Sequence, residues 1–233
     1  ADNGSSDDTL ELLHRYAEDE PRLRVIALGE NKGFAAANNV AARQAGGQYL
    51  IFLNIDTVVT PGWVGRLLRH RHRDPSAGVV VPVTNWIGNE ARINVEYGNY
   101  RELEEFALAL ARKNMGLWLE LAVAPLFCAL VPREVWEQAG ELDERFEVGM
   151  FEDDDLSLRV RQRNFRIITA EDCFVHHFGR GSFAKLPDAE YTRIFQQNLR
   201  RFEDKWGVPW TPHKSRPGVR PEFMEYNPAD FVL

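Results

Sequence analysis

The sequence predicts an α/β domain, a mostly parallel central sheet with helices on its faces. Three observations carry that prediction. Strand-length apolar runs alternate with helix-length amphipathic runs up to about Val83, the order from which parallel sheets are built. Tyr49-Leu50-Ile51-Phe52-Leu53 is apolar without interruption, as a strand covered on both faces requires. That run ends abruptly in Asn54-Ile55-Asp56-Thr57, and ligands of such sheets bind at strand carboxyl ends.

Each element has its own warrant. Residues 1–8 form a turn of Asp, Asn, Gly and Ser. Thr9 caps a helix whose apolar side is Leu10, Leu12, Leu13 and Tyr16. Residues 23–28 read as a short strand and 29–33 as a tight loop. Phe34 to Gln44 is an Ala-rich helix stopped by Gly46-Gly47. Thr60-Pro61 reads as a cap with a first-turn proline for a helix reaching about His72. Ala77 to Val83 is a strand, and residues 84–100 are a loop or short hairpin rich in Asn and Gly. Leu103, Phe106, Ala107 and Leu110 share one helical face. Residues 117–131, broken by Pro125, read as one bent strand with Trp118 in the core. Arg133 to Ala139 is a short helix ended by Gly140. After Asp153, the alternation of Leu156, Leu158 and Val160 suits a strand. The acidic start and the handover at Asn164 to a new apolar run favour a helix. Residues 173–175 form a last short strand, and Tyr191, Ile194, Phe195, Leu199, Phe202 and Trp206 follow helical spacing. Prolines 209, 212, 217, 221 and 228 make the remainder an extended tail, lying on the domain or leading away from it.

Composition narrows the function. At 233 residues, 44% apolar and 27% charged, this is ordinary globular material. A net charge of -7 disfavours a nucleic-acid partner, so an anionic substrate would need a metal or local Lys and Arg. Cys128 and Cys173 sit in apolar runs as reduced core residues, which favours a cytosolic setting. No apolar run is long enough to span a bilayer. The chain opens on Ala inside a polar turn, which reads as a fragment of a longer protein.

Five features carry chemistry, each with a plain reading beside it. Glu152-Asp153-Asp154-Asp155 is either a helix start complementing the macrodipole or a site with one carboxylate as base. Asp56 is either a turn-former or a ligand for a hard divalent cation such as Mg²⁺ or Mn²⁺. His176-His177 is either a strand edge or an imidazole ligand suited to Mn²⁺. Trp86 either packs or offers an indole face to a ligand ring. Residues 178–183 have the glycines of a flap, from which Arg180 or Lys185 could close on a diphosphate, or form an exposed loop.

Taken in order, Asp2-Asn3-Gly4-Ser5, Asn31-Lys32-Gly33-Phe34 with Asn39, Leu53-Asn54-Ile55-Asp56-Thr57, Phe151-Glu152-Asp153-Asp154-Asp155-Leu156 and His176-His177 before Gly181-Ser182 resemble a known family. They are similar to the inverting family 2 glycosyltransferases of the GT-A, Rossmann-like fold, especially the rhamnosyltransferase-like branch of bacterial surface-glycan enzymes. The resemblance covers nearly all of residues 1–206. It implies a nucleotide-binding half (1–83), an acceptor and catalytic half (84–206) and a Pro-rich tail (207–233). It also implies a strand, helix and strand ahead of residue 1, so the fold reads as N-terminally truncated.

By position, the resemblance assigns Asp2, Asn3, Lys32, Asn39, Asn54 and Asp56 to the nucleotide-sugar. Asp153 matches the catalytic base, with Glu152 beside it. Trp86, Asn89 and Asp155 fall on the acceptor side, and Asp56 with His176 or His177 would hold Mn²⁺ or Mg²⁺. The implied donor is a UDP- or dTDP-sugar and the implied acceptor a glycan or lipid-linked hydroxyl. The implied location is the cytoplasm or the inner face of the membrane, reached through the rest of the protein. A non-catalytic nucleotide- or sugar-binding module and a nucleotidyltransferase are the competing readings.

Overall fold

A computed structural model describes residues 1–179 and 187–231. Its strands are β1 (Tyr49–Leu53), β2 (Thr57–Val59), β3 (Ala77–Val83), β4 (Trp118–Glu120), β5 (Cys128–Pro132) and β6 (Arg166–His177). They pair in the order β1-β5-β3-β6-β2, with β4 also on β6. Only β3 and β6 pair in parallel among these; β1 with β5, β5 with β3, and β2 and β4 with β6 are antiparallel. The sheet is therefore mixed rather than mostly parallel. The chain enters β5 from Phe127, whose carbonyl accepts from the N–H of Asn54 at the end of β1, so β5 must run back between β1 and β3. The strands β1, β3 and β6 still point one way, and their carboxyl ends share one edge of the sheet.

The helices are α1 (Thr9–Asp19), α2 (Phe34–Gln44), α3 (Trp63–Arg73), α4 (Tyr100–Lys113), α5 (Arg133–Ala139), α6 (Glu152–Gln162) and α7 (Asp188–Trp206). Strand alternation splits the core in two. Leu50, Phe52, Val79, Val81, Ala129 and Val131 pack against α2, α5 and α6 through Ala35, Val135, Trp136, Leu156 and Val160. Val80, Cys128, Leu130 and Ile168 face the other way onto Leu67 of α3. Each large side chain buried in this way contributes about 1.5–3 kcal/mol. Both cysteines are free and buried. No helix among the described residues is long and apolar enough to cross a membrane.

Several elements depart from expectation for identifiable reasons. Residues 23–28 form no strand of the sheet; among the described residues their β pairing is a single parallel bridge from Ala27 to Asp2. Thr60 does not cap α3. Gly62, in a left-handed conformation, precedes it, and the Thr60 hydroxyl donates to the Phe174 carbonyl at 2.7 Å. Residues 117–131 divide into β4 and β5, the chain leaving the sheet around Pro125. Trp118 is 42% exposed on the edge strand β4, with the Arg166 guanidinium 4.2 Å from its ring. The two last strands merge into β6, whose register against β3 jumps beside Pro82, a residue without an N–H to donate.

The tail lies on the domain. Trp210 packs with Phe151 and Phe195 near the start of α6. Farther on, Arg216 pairs with Glu171, Phe223 lies on Trp86, and Tyr226 and Phe231 pack on His176.

Candidate active site

Three segments supply the candidate residues. The first is the end of β6 with the turn after β1. Antiparallel pairing of β2 with β6 sets Thr57 opposite His177 and so brings Asp56 alongside. The His177 Nε2 lies 3.3 Å from Asp56 Oδ1. Its Nδ1 is 2.9 Å from the Trp86 carbonyl, which can only accept, so Nδ1 carries a proton and Nε2 is the nitrogen that faces the carboxylate. Asn85 holds the main chain of His177 from both sides, donating to its carbonyl at 3.0 Å and accepting from its N–H at 2.9 Å. Phe127 stacks on the ring with centroids 4.9 Å apart.

An imidazole nitrogen beside a carboxylate oxygen calls for a proton or a cation between them. Two donors 3.3 Å apart suit a shared divalent ion with bonds of about 2.0–2.2 Å. Asp56 and His177 therefore fit such an ion. No third His, Cys, Asp or Glu joins them among the described residues.

His176 points the other way, because neighbouring strand residues face opposite sides. It is fully buried, 2.7 Å from the Tyr97 hydroxyl through Nδ1 and stacked on Phe231. Burial, and then the His177 charge, lower its pKa to about 4, so it stays neutral. The structure separates the doublet: His177 meets Asp56 and His176 does not.

The second segment joins the opening turn to residues 31–33. Asn3 donates to Asn31 Oδ1 at 2.9 Å and accepts from the Lys32 N–H at 2.8 Å. Asp2 Oδ2 accepts from the N–H groups of Gly4 and Ser5, each at 3.3 Å. Hydrogen bonding, first from the Ser5 side chain, holds its carboxyl below the usual range. Gly33, at φ 86°, lets this loop press on the lead-in to α6; a Cβ there would lie 1.8 Å from the Glu147 carbonyl. The lead-in is itself strained, with Glu147, Met150 and Phe151 all at positive φ. The buried Asn198 amide holds it by donating to the carbonyls of Phe146 (2.7 Å) and Gly149 (2.8 Å).

The third segment is the start of α6. This helix hands over to the first residues of β6, so its N-terminus points back toward the shared edge. The loop before β5 ties the two together, since the Ala124 N–H donates to Ser157 Oγ at 2.9 Å. The four acids there have different fates. Asp155 is fully buried, in ion pairs with Arg159 (2.9 Å) and Lys205 (2.5 Å), and accepts from Trp206 Nε1. Asp154 accepts from Trp210 Nε1 at 2.9 Å and pairs with His213 at 2.8 Å. Glu152 is buried with Oε2 lacking a partner, and burial, then the Asp153 charge, raise its proton affinity. Asp153 is half-buried and accepts from the N–H of Asp154. Burial and the Asp154 charge raise its affinity for a proton as well, with His213 opposing.

The family model described as Glycosyl transferase family 2 matches residues 1–139. The chain belongs to that family. Over 216 residues it is 29% identical to the O-antigen biosynthesis protein RfbC of Myxococcus xanthus, covering 82% of this chain and 16% of that protein. A 92-residue stretch is 34% identical to chondroitin synthase of Escherichia coli, covering 40% of this chain and 13% of that one. The chain thus spans under a fifth of these relatives. Among solved structures, GalNAc-T7 with UDP, GalNAc and Mn²⁺ superimposes at TM-score 0.65 and 17% identity, covering 87% of this chain and 41% of that one. The mannosyltransferase PcManGT of Pyrobaculum calidifontis, with GDP-Man and Mn²⁺, gives 0.58 and 21%, covering 91% and 55%. The fold is the GT-A glycosyltransferase fold.

Three residues that the family resemblance assigned to substrate have other work here. The Asn39 amide is buried and donates to the Leu142 carbonyl and Glu144, both at 2.9 Å, joining α2 to the segment before α6. Asn89 is buried and donates to the Val123 carbonyl. Asp155 faces α7 rather than an acceptor. Asn54 and Lys32 stay accessible, and Trp86 has one ring face against Phe223, with centroids 4.1 Å apart. Arg180 and Lys185 lie outside the described residues. Phe127 and His213 of this family 2 chain contact the candidate residues without belonging to any of the motifs. Only His213 left a signal, a lone Trp-Thr-Pro-His within a Pro-rich tail.

Proposed function

We propose that the chain transfers a glycosyl group from a nucleoside-diphosphate sugar to a hydroxyl acceptor with inversion at the anomeric carbon. One arrangement supports the reading: α6 leads by a short turn into the start of β6, the strand that ends in His177, so Asp153 at the far end of α6, half-buried and with raised proton affinity, lies toward the end of the sheet that carries the Asp56–His177 pair. In this reading Asp2, Asn3 and Lys32 take the nucleoside side, and Asn54 contacts ribose or diphosphate. Asp56 and His177 hold Mn²⁺ or Mg²⁺, which when bound supplies positive charge against the departing diphosphate. Asp153 accepts the acceptor hydroxyl proton as that oxygen attacks the anomeric carbon from the face opposite the leaving group. Glu152, buried beside it, carries a proton more readily than an ordinary carboxylate and so adds less negative charge next to the base.

The name of RfbC, and UDP and GDP-Man in the structural neighbours, support a nucleotide-sugar donor and a bacterial surface glycan or lipid-linked acceptor, made in the cytoplasm or at the membrane's inner face. The test is incubation with Mn²⁺ and a panel of UDP-, dTDP- and GDP-sugars. Release of intact nucleoside diphosphate, accelerated by acceptor glycans, is the expected result. Binding without release would instead make the chain a sugar-nucleotide-binding module, and release of monophosphate with pyrophosphate would make it a nucleotidyltransferase.

A further inference from the structure

The tail brings a histidine to the start of α6 from outside both the strand edge and the stretch that the family model covers. His213 Nε2 lies 2.8 Å from Asp154 Oδ1, which also accepts from Trp210 Nε1 at 2.9 Å. The N–H of Asp154 in turn donates to Asp153 Oδ1 at 3.2 Å. The segment is gripped on both sides of the histidine. The Trp210 N–H donates to Glu203 at 3.0 Å, and the Arg216 guanidinium makes bonds of 2.6 and 2.7 Å to Glu171 and one of 2.8 Å to the Glu90 carbonyl. The His213 side chain is 24% exposed, so it is held rather than trailing in solvent.

We propose that His213 is a positioning residue for Asp153: by pairing with Asp154 it fixes that carboxylate and offsets its charge, leaving Asp153 as the carboxylate able to take a proton. This rests on reading Asp153 as the base. Two adjacent carboxylates cannot both stay ionised at low cost. With Asp154 unneutralised, Asp153 would hold its proton to a still higher pH and serve less well as a base at neutral pH. The charged groups facing His213 are Asp154, Asp153 and Glu90, and those facing Asp153 are Asp154, Glu152 and His213. The imidazole is thus the cation in a cluster of acids, and the tail supplies it.

The test is a carboxyl-carbon NMR titration of aspartate-labelled chain, with the Asp153 signal assigned by its loss in Asp153→Asn. His213→Gln keeps a hydrogen-bond donor and removes the charge. Arg220→Ala loosens the tail where Arg220 meets Glu96, without touching Asp154. The Asp153 midpoint should rise by about one pH unit in His213→Gln, tenfold in proton affinity, and stay put in Arg220→Ala. His213→Lys, which restores a positive charge, should bring it back toward the parent value. An unmoved midpoint in His213→Gln, or an equal rise in Arg220→Ala, would overturn the proposal. The titration reads the pairing whether or not the chain turns over, whereas unimpaired sugar transfer by Asp153→Asn would remove the base assignment alone.

Discussion

At the end of β6 two histidines stand side by side, and at the start of α6 four acids do. The strand sorts its pair by local geometry. Successive residues face opposite sides, so His177 meets Asp56 while His176 enters an aromatic cage of Tyr97, Tyr226 and Phe231. The helix sorts its acids by what reaches them from far along the chain. Asp155 receives Lys205 and Trp206 from α7, Asp154 receives Trp210 and His213 from the tail, and Asp153 keeps an accessible carboxylate. Identical residues thus differ in chemistry because of their partners, and only the strand's partition follows from local spacing.

The hardest challenge to that partition is Asp153→Asn. Its glycosyl transfer should fall by about 10²–10⁴-fold, the usual share of a general base. Its native carboxylate has a raised proton affinity, so it contributes stability at low pH and loses it as pH rises through the raised pKa. Melting followed by circular dichroism at neutral pH should therefore show Asp153→Asn at least as stable as the parent. Next is Asp155→Ala, which strands the charges of Arg159 and Lys205. Denaturant unfolding should show a loss of about 3–5 kcal/mol, with the acid limb of any remaining activity unmoved. Equal loss of chemistry at both positions, with the fold equally spared, would erase the distinction between these acids.

For the histidines the expected gap is smaller. His177→Ala should weaken Mn²⁺-dependent binding of UDP by at least about 10–100-fold in calorimetry, as lost metal contacts do. His176→Leu should leave that affinity intact, since His176 faces Tyr97, Tyr226 and Phe231 on the side away from Asp56. The smallest effect is in pH. Proton uptake silences a base, so transfer should decline, as pH falls, at values above the ordinary carboxylate pKa of about 4. A rate profile flat down to pH 4 would mean that Asp153 is an ordinary exposed acid.

Much of the fold could be read from the chain. Phe34–Gln44, Tyr49–Leu53, Ala77–Val83 and Arg133–Ala139 carry their own periodicity, and glycines or polar turns stop them. Strand direction was not legible, because β5 is reversed by where Phe127 sits rather than by its apolar residues. Among the site residues, Asp56 and Asp153 stand where the motifs put them, at a strand end and a helix start. Asn39 looked equally functional, yet its partners Leu142 and Glu144 lie more than 100 positions away. His213 is the reverse case, a residue with no motif that a long tail delivers to an acid.

The central claim is that the Asp56–His177 pair and Asp153 belong to one crevice. Paramagnetic relaxation tests this most directly: Mn²⁺ with UDP is added to aspartate- and histidine-labelled chain while the Asp153 carboxyl and His177 ring signals are followed. Both should broaden together, and both should recover in His177→Ala. An Asp153 signal that stays sharp while the His177 ring signal disappears would contradict the account.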